Sequence, residues 1–250
     1  MLAEIIPVSL LQCRFFREGV VLDAVAAEVL LNKGIDIGIK SITKAFANPV
    51  KECFGNNSMN GRYVGENILL YNYRNVYYEC EPRAGAVILS RFIDDRGNDM
   101  YAGTILYENA NGQRFCILPY DMRKATACLQ LIYGYAKQEQ LTECITWAGR
   151  EPLPVSIRQP DIHIMCKAAK DGSRIAIAVQ NCHLDTLENP VLLLNPGIKT
   201  GSKIELMLPD AERTVLSSDF EYKSDGKYGY LEIRCLVHPL GFLGIGLKQK

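Results

Sequence analysis

The sequence predicts an α+β fold that is mainly β, and three observations predict it. A strand-like run, Gly19-Val-Val-Leu-Asp23, leads at once into a helical stretch with a glycine stop. From about Asn48 to Asp99 the helical period fades, and short apolar runs alternate with Gly, Asn and Pro. Beyond Pro154 nearly every apolar run has strand length, with turn residues between the runs at the spacing of an antiparallel sandwich.

Each element has a local reason. Asp23 is placed to cap a helix over Ala24 to Lys33 by accepting a backbone N–H bond. Val25, Ala26, Val29 and Leu30 fall on one helical face, and Gly34 suits the left-handed position after the helix. Ile35 to Ile39 then reads as extended. One strand and one helix cannot bury both their apolar faces, so this unit needs more sheet, from later in the chain, from a partner subunit or from a preceding region. Asn67 to Tyr73 and Ala86 to Phe92 read as strands of a β insertion, and Asp94 to Asp99 as a turn whose acids lack the spacing of a calcium loop. Gly103 to Tyr107 and Gln113 to Pro119 form a hairpin, with Asn111-Gly112 expected to supply the positive φ angles.

Met122 to Ala148 is the longest helix-compatible stretch, with Leu129, Ile132, Tyr133 and Ala136 on one face and a break near Gln138. Gly149, Pro152 and Pro154 end it, which divides the chain into residues 1–150 and 151–250. The second part holds six strand runs: 162–166, 174–179, 191–194, 203–208, 230–235 and 242–247. Asp171-Gly172 joins the first two of them.

Composition narrows the function classes. The 28 Lys+Arg balance 28 Asp+Glu, and no basic cluster stands out, so a nucleic-acid partner is not expected. With 48% hydrophobic residues the chain can bury a sizeable core, which excludes disorder and coiled coil. Nine cysteines are scattered without a C-x-x-C pair, and three histidines (His163, His183, His238) cannot complete a zinc shell. No metal or other cofactor is expected, since P-loop and dinucleotide fingerprints are missing as well. Thiols such as Cys116, flanked by apolar residues, read as core residues of a protein in a reducing compartment, hence cytoplasmic. The segment from Met1 carries Glu4 and Pro7 where a signal peptide or a membrane span would need basic or apolar residues, so no membrane association is expected.

Candidates for chemistry are few. No serine sits in a nucleophile elbow, and Cys182 and His183, neighbours in sequence, would point to opposite faces of any regular strand that held them. Glu79, Glu81, Glu108, Asp185 and Glu188 are the acids available for glycoside hydrolysis, a reaction that needs two carboxylates held across a sugar cleft. Tyr71 and Tyr73, in Tyr71-Asn-Tyr73-Arg-Asn-Val-Tyr-Tyr78, share a strand face and combine flat rings with amide and guanidinium groups, the residue types that hold sugars. The same alternation also suits a packed sheet or an interface. Trp147 reads as a core anchor.

Several segments together resemble the C-terminal half of bacterial glycoside-hydrolase-like, β-galactosidase-like multidomain proteins. They are Gly19 to Asp23 with Ala26 to Gly34, the Tyr107 to Pro119 hairpin, Leu141 to Trp147, the Leu-Pro-Val155 junction, and Asn181 to Glu188. The resemblance implies an incomplete amidotransferase-like α/β domain with a β-rich insertion over 1–150 and a β-sandwich over 151–250. It implies no catalytic residue here, because in those proteins a preceding barrel supplies the carboxylates. The function expected is thus a noncatalytic accessory region in carbohydrate metabolism, which homo-oligomerises or braces a missing N-terminal catalytic domain. The alternatives are an autonomous carbohydrate-binding module working through Tyr71 and Tyr73, and a small stand-alone glycosidase.

Overall fold

A computed structural model describes residues 19–70, 76–122, 134–157, 159, 162–201, 203–207, 212–216 and 219–249. The chain divides between Arg150 and Glu151 into two units, each with its own core.

In the first unit β1 (Gly19–Asp23) runs into α1 (Ala24–Asn32), and Asp23 Oδ1 accepts the Ala26 N–H at 2.8 Å. The helix ends at Lys33, with Gly34 at φ 74°. Its buried residues are Ala24, Ala27 and Leu30, so the inner face is rotated from the one read off the valines. The small Ala24 and Ala27 allow the helix backbone to lie close to the sheet, which leaves Val25 and Val29 at the margin. Ile35 to Gly38 is a loop rather than a strand; β2 begins at Ile39 (Ile39–Lys44) and pairs antiparallel with β5 (Tyr78–Pro82). Between them lie β3 (Lys51–Phe54), a 3-10 segment (Ser58–Tyr63) and β4 (Asn67–Leu69).

The insertion continues with β6 (Val87–Ile88), β7 (Ser90–Ile93) and β8 (Asp99–Ala102), then β9 (Ile105–Glu108) and β10 (Arg114–Leu118). Two four-stranded sheets result, ordered β1-β10-β9-β6 and β4-β3-β7-β8. The further sheet that β1 and α1 require comes from later in the chain: β1 pairs in parallel with β10, Gly19 opposite Arg114 and Asp23 opposite Leu118. Strand β10 explains its own composition. Phe115 and Ile117 enter the core beneath α1, whereas Cys116 and Leu118 enter the core on the opposite face. A strand buried on both faces needs a continuous apolar run, and Phe-Cys-Ile-Leu is one.

The hairpin between β9 and β10 differs from the expected turn in one respect. Gly112 takes φ 73°, but Asn111 does not adopt positive φ; Asn109 instead organises the turn, its Oδ1 accepting the N–H groups of Asn111 and Gln113 at 3.0 Å each. The turn thus needs one left-handed residue, supplied by glycine.

α2 (Tyr135–Gly149) passes Gln138 without a break and packs on β1, β10 and the 3-10 segment. Approach to β1 is close: any Cβ at Gly19 would collide with the Ala148 carbonyl. Leu129, Ile132 and Tyr133 lie outside the described residues. The helix buries Ala136, Lys137, Gln140, Cys144 and Ala148, so a lysine and a glutamine stand among small apolar residues on its inner face.

The second unit is an antiparallel sandwich. One sheet is ordered β11-β15-β19-β18, from β11 (Val155–Ile157), β15 (Val191–Leu194), β18 (Phe220–Ser224) and β19 (Gly229–Ile233). The other is β12-β13-β21-β16-β17, from β12 (Ile162–Ala168), β13 (Arg174–Asn181), β16 (Lys203–Met207), β17 (Glu212–Leu216) and β21 (Phe242–Lys248). A small ribbon pairs β14 (Leu187–Glu188) with β20 (Leu236–Val237). Leu192, Leu194, Leu231 and Ile233 from the first sheet meet Ile177, Val179, Leu243 and Ile245 from the second in one core. The hairpin at Gly172, φ 70°, joins β12 to β13. Strand 230–235 ends at Ile233, and β11, β14, β17, β18 and β20 are additional to the six runs read from sequence; β11, β14 and β20 are short, and β18 is mostly polar and exposed.

Candidate functional site

The polar side chains with most chemical potential meet inside the first unit, where β3, β7, the loop before β9, the 3-10 segment and α2 converge. Lys137 Nζ donates to Glu52 Oε1 at 2.6 Å, to Gln140 Oε1 at 2.7 Å and to Thr104 Oγ1 at 3.0 Å. All three ammonium hydrogens are thereby used. Ser90 Oγ donates to the same Glu52 oxygen at 2.5 Å and accepts the Thr104 N–H at 2.9 Å. Thr104 Oγ1 donates to Gln140 Oε1 at 2.8 Å. Gln140 Nε2 donates to Asn60 Oδ1 at 2.7 Å, and Asn60 Nδ2 donates to the carbonyls of Gly55 and Leu89.

The sequence builds this cluster by simple periodicities. Lys137 and Gln140 stand three apart on α2 and therefore share a face. Glu52 alternates with Cys53 along β3, and Glu52 pairs across the sheet with Phe92. Gly103 makes room, since any Cβ there would strike Ser90 Oγ. The Lys137 ammonium also lies 5.4 Å from the centre of the Phe54 ring. Lys137 and Glu52 are 3% and 1% exposed, so the pair is dry. A buried pair bonded in this way holds elements in register, and the Lys137 ammonium and Glu52 Oε1 are already committed.

A separate, open cleft of about 330 Å³ is lined by Ser41, Thr43, Glu79, Cys80, Glu81, Pro82, Tyr101 and Ala102. It follows from the β2–β5 register, which sets Ser41 opposite Glu81 and Thr43 opposite Glu79. Glu81 is held below the ordinary carboxylate range by the Lys40 ammonium, 2.8 Å away, and by the Ser41 hydroxyl. Tyr101 at the floor donates to the Ala47 carbonyl, and burial first, then Tyr77 and Glu79, raise its phenol well above the usual value. Burial likewise pushes the Cys80 thiol up to about 12, with a smaller contribution from Glu28.

The other acids are far apart in use. Glu108 is held low by Arg114, 2.7 Å away, with Arg150 at 3.4 Å. Asp185 Oδ2 lies 3.1 Å from His183 Nδ1, and Glu188 sits exposed in the β14–β20 ribbon. Cys182 Sγ turns to the Gln180 carbonyl at 3.9 Å, while His183 faces Asp185, so the neighbours do not form a nucleophile and base. His163 is exposed on β12. Trp147 is partly buried against the second core of the first unit, with the Arg114 guanidinium 5.0 Å over its ring. Tyr71 and Tyr73 lie outside the described residues.

Sequence reasoning missed Glu52, Asn60, Ser90, Thr104, Lys137 and Gln140. One signal was present: a helix whose inward positions, beside Ala136 and Cys144, are a lysine and a glutamine. Among the described residues, no group of three His, Cys, Asp or Glu side chains is arranged to hold a metal ion. No helix of the described residues is long and apolar enough to cross a membrane. No family model matches the chain, and no curated protein matches it.

Proposed function

We propose that this chain is a noncatalytic accessory region of a glycoside-hydrolase-like protein, an amidotransferase-like α/β unit with a β insertion followed by a β-sandwich. Its task is assembly: it joins subunits or braces a catalytic domain that supplies the carboxylates. The observation that carries this reading is the fate of the chemically able side chains. Lys137, Glu52, Ser90, Thr104 and Gln140 are spent on one another in a dry cluster. Glu81 and Glu108, candidates for a carboxylate pair, are each bonded to a cation, Lys40 and Arg114. A cytoplasmic setting accords with the seven free cysteines among the described residues.

Light scattering on the purified chain, with turnover of a glycoside panel and an immunoblot of native lysate, tests the proposal. It predicts a defined oligomer or a native band well above the mass of 250 residues, with no turnover. A monomer of native size defeats it. So does turnover abolished by Glu79→Gln or Glu81→Gln in a folded variant.

A further inference from the structure

The outer face of the five-stranded sheet in the sandwich has a composition that the core does not explain. Its register places side chains in rows across the strands. His163, Gln180 and Phe242 form one row; Met165, Ala178, Gly244 and Met207 the next; Lys167, Ala176, Gly246 and Glu205 the third; Arg174 and Lys248 the fourth. The alternate residues, Ile175, Ile177, Val179, Leu243, Ile245 and Leu247, fill the core. Met165, Phe242 and Met207 are 61%, 43% and 41% exposed, although each sits on a regular strand. Between them Ala176, Ala178, Gly244 and Gly246 form a low floor, with Met207 leaning over Gly244.

Cations gather at one end of this face. Lys167, Arg174 and Lys248 lie remote from Phe242, with Glu205 held by Lys248 at 3.0 Å, while the register sets a second acid, Glu212, opposite Met207 in the methionine row. Lys167 has no ion-pair partner among the described residues. The strand backbone beneath the floor is engaged in its ladders, and the apolar centre of the trough does not suit a phosphate backbone. A partner must bring apolar side chains to the floor and anions to the cationic end. Methionine walls adapt to the shape of such side chains, and the rows are roughly 7 Å apart, two residues of an extended chain.

We infer that this face is a docking surface for an acidic amphipathic polypeptide segment, one in which apolar residues adjoin a run of Asp or Glu. The inference concerns the sandwich alone and stands whether or not the accessory reading holds.

The test uses the full chain and a fluorescein-labelled peptide with leucines in its first half and glutamates in its second, followed by fluorescence polarisation. Saturable binding that weakens with added salt is expected, because the cationic end contributes through screened charge. The double variant K167E/R174E, which alters only exposed positions, should lose about tenfold in affinity and bind a leucine–lysine peptide instead. Met165→Asp should lose the glutamate peptide while circular dichroism stays unchanged. An absence of saturable binding overturns the inference, as does equal binding by K167E/R174E. Co-sedimentation with phosphatidylserine vesicles, lost in K167E/R174E while the peptide fails to bind, overturns it in favour of a lipid surface.

Discussion

Lys137 Nζ lies 2.6 Å from Glu52 Oε1 with both side chains all but excluded from solvent, and this contact ties α2 to β3 across 85 positions of sequence. Removing one partner leaves an uncompensated charge in the interior. Lys137→Met should therefore destabilise the first unit by roughly 3–5 kcal/mol. Glu52→Leu combined with Lys137→Met should recover most of that loss, because two apolar side chains need no partners. Urea unfolding followed by the fluorescence of Trp147, the single tryptophan, reads both. Equal loss in the single and double variants would refute the electrostatic account.

Asp23 serves two places at once. Its Oδ1 caps α1 through Ala26 and its Oδ2 accepts the Met122 N–H at 3.1 Å. Asp23→Ala should cost about 1–2 kcal/mol, more than an isolated cap at the low end of that range. Asp23→Asn should cost less, since its amide oxygen still caps. The urea midpoints of the three proteins rank the effects.

Three turn aspartates, Asp94, Asp171 and Asp225, have carboxyls held below their ordinary value of 3.8. The Asn98 side chain is the largest cause at Asp94, the Ser173 N–H at Asp171 and the Tyr230 hydroxyl at Asp225. A folded pKa below the unfolded one means stability that is fully present above 3.8 and lost as pH falls through the lower folded values. Carboxyl shifts followed by NMR should titrate below pH 3.8 at all three positions. Asn98→Ala should return Asp94 towards its ordinary value and leave Asp171 and Asp225 unmoved.

Thiol reactivity should sort by burial. Cys166 is exposed, whereas Cys80, Cys116 and Cys144 are buried, and burial raises the Cys80 thiol to about 12. The Cys116 thiol is raised by its contact with Cys144 and by burial. Iodoacetamide at pH 8 should label Cys166 in the native protein and reach the other three on unfolding, as peptide mass spectrometry would show. Native labelling of Cys144 at the rate of Cys166 would contradict the packing of α2.

Local chemistry made much of the fold legible. Asp23 and Gly34 bracket α1, Gly112 and Gly172 mark hairpins, and alternation along 174–181 announces a half-buried strand, because each rests on the preferences of one or two residues. The α+β, mainly β class follows from such signals. What they did not carry was partner choice. The parallel pairing of β1 with β10 joins segments about 95 residues apart, and it turns α1 so that alanines face inward while the valines that look most apolar lie at the edge.

The buried cluster shows the same limit more sharply. Alone on a helix, Lys137 and Gln140 read as solvated residues, since a lysine in water loses nothing by staying there. Burial becomes tolerable when Glu52 and Thr104 arrive from a strand and a loop to accept, with Gln140, the three ammonium hydrogens of Lys137, and Ser90 adds a bond to Glu52, an arrangement set by sheet register. Sequence by itself determined where this chain bends, caps and alternates. Tertiary structure decided which polar groups leave water, because the free energy of burying a charge depends on neighbours that only the folded chain assembles.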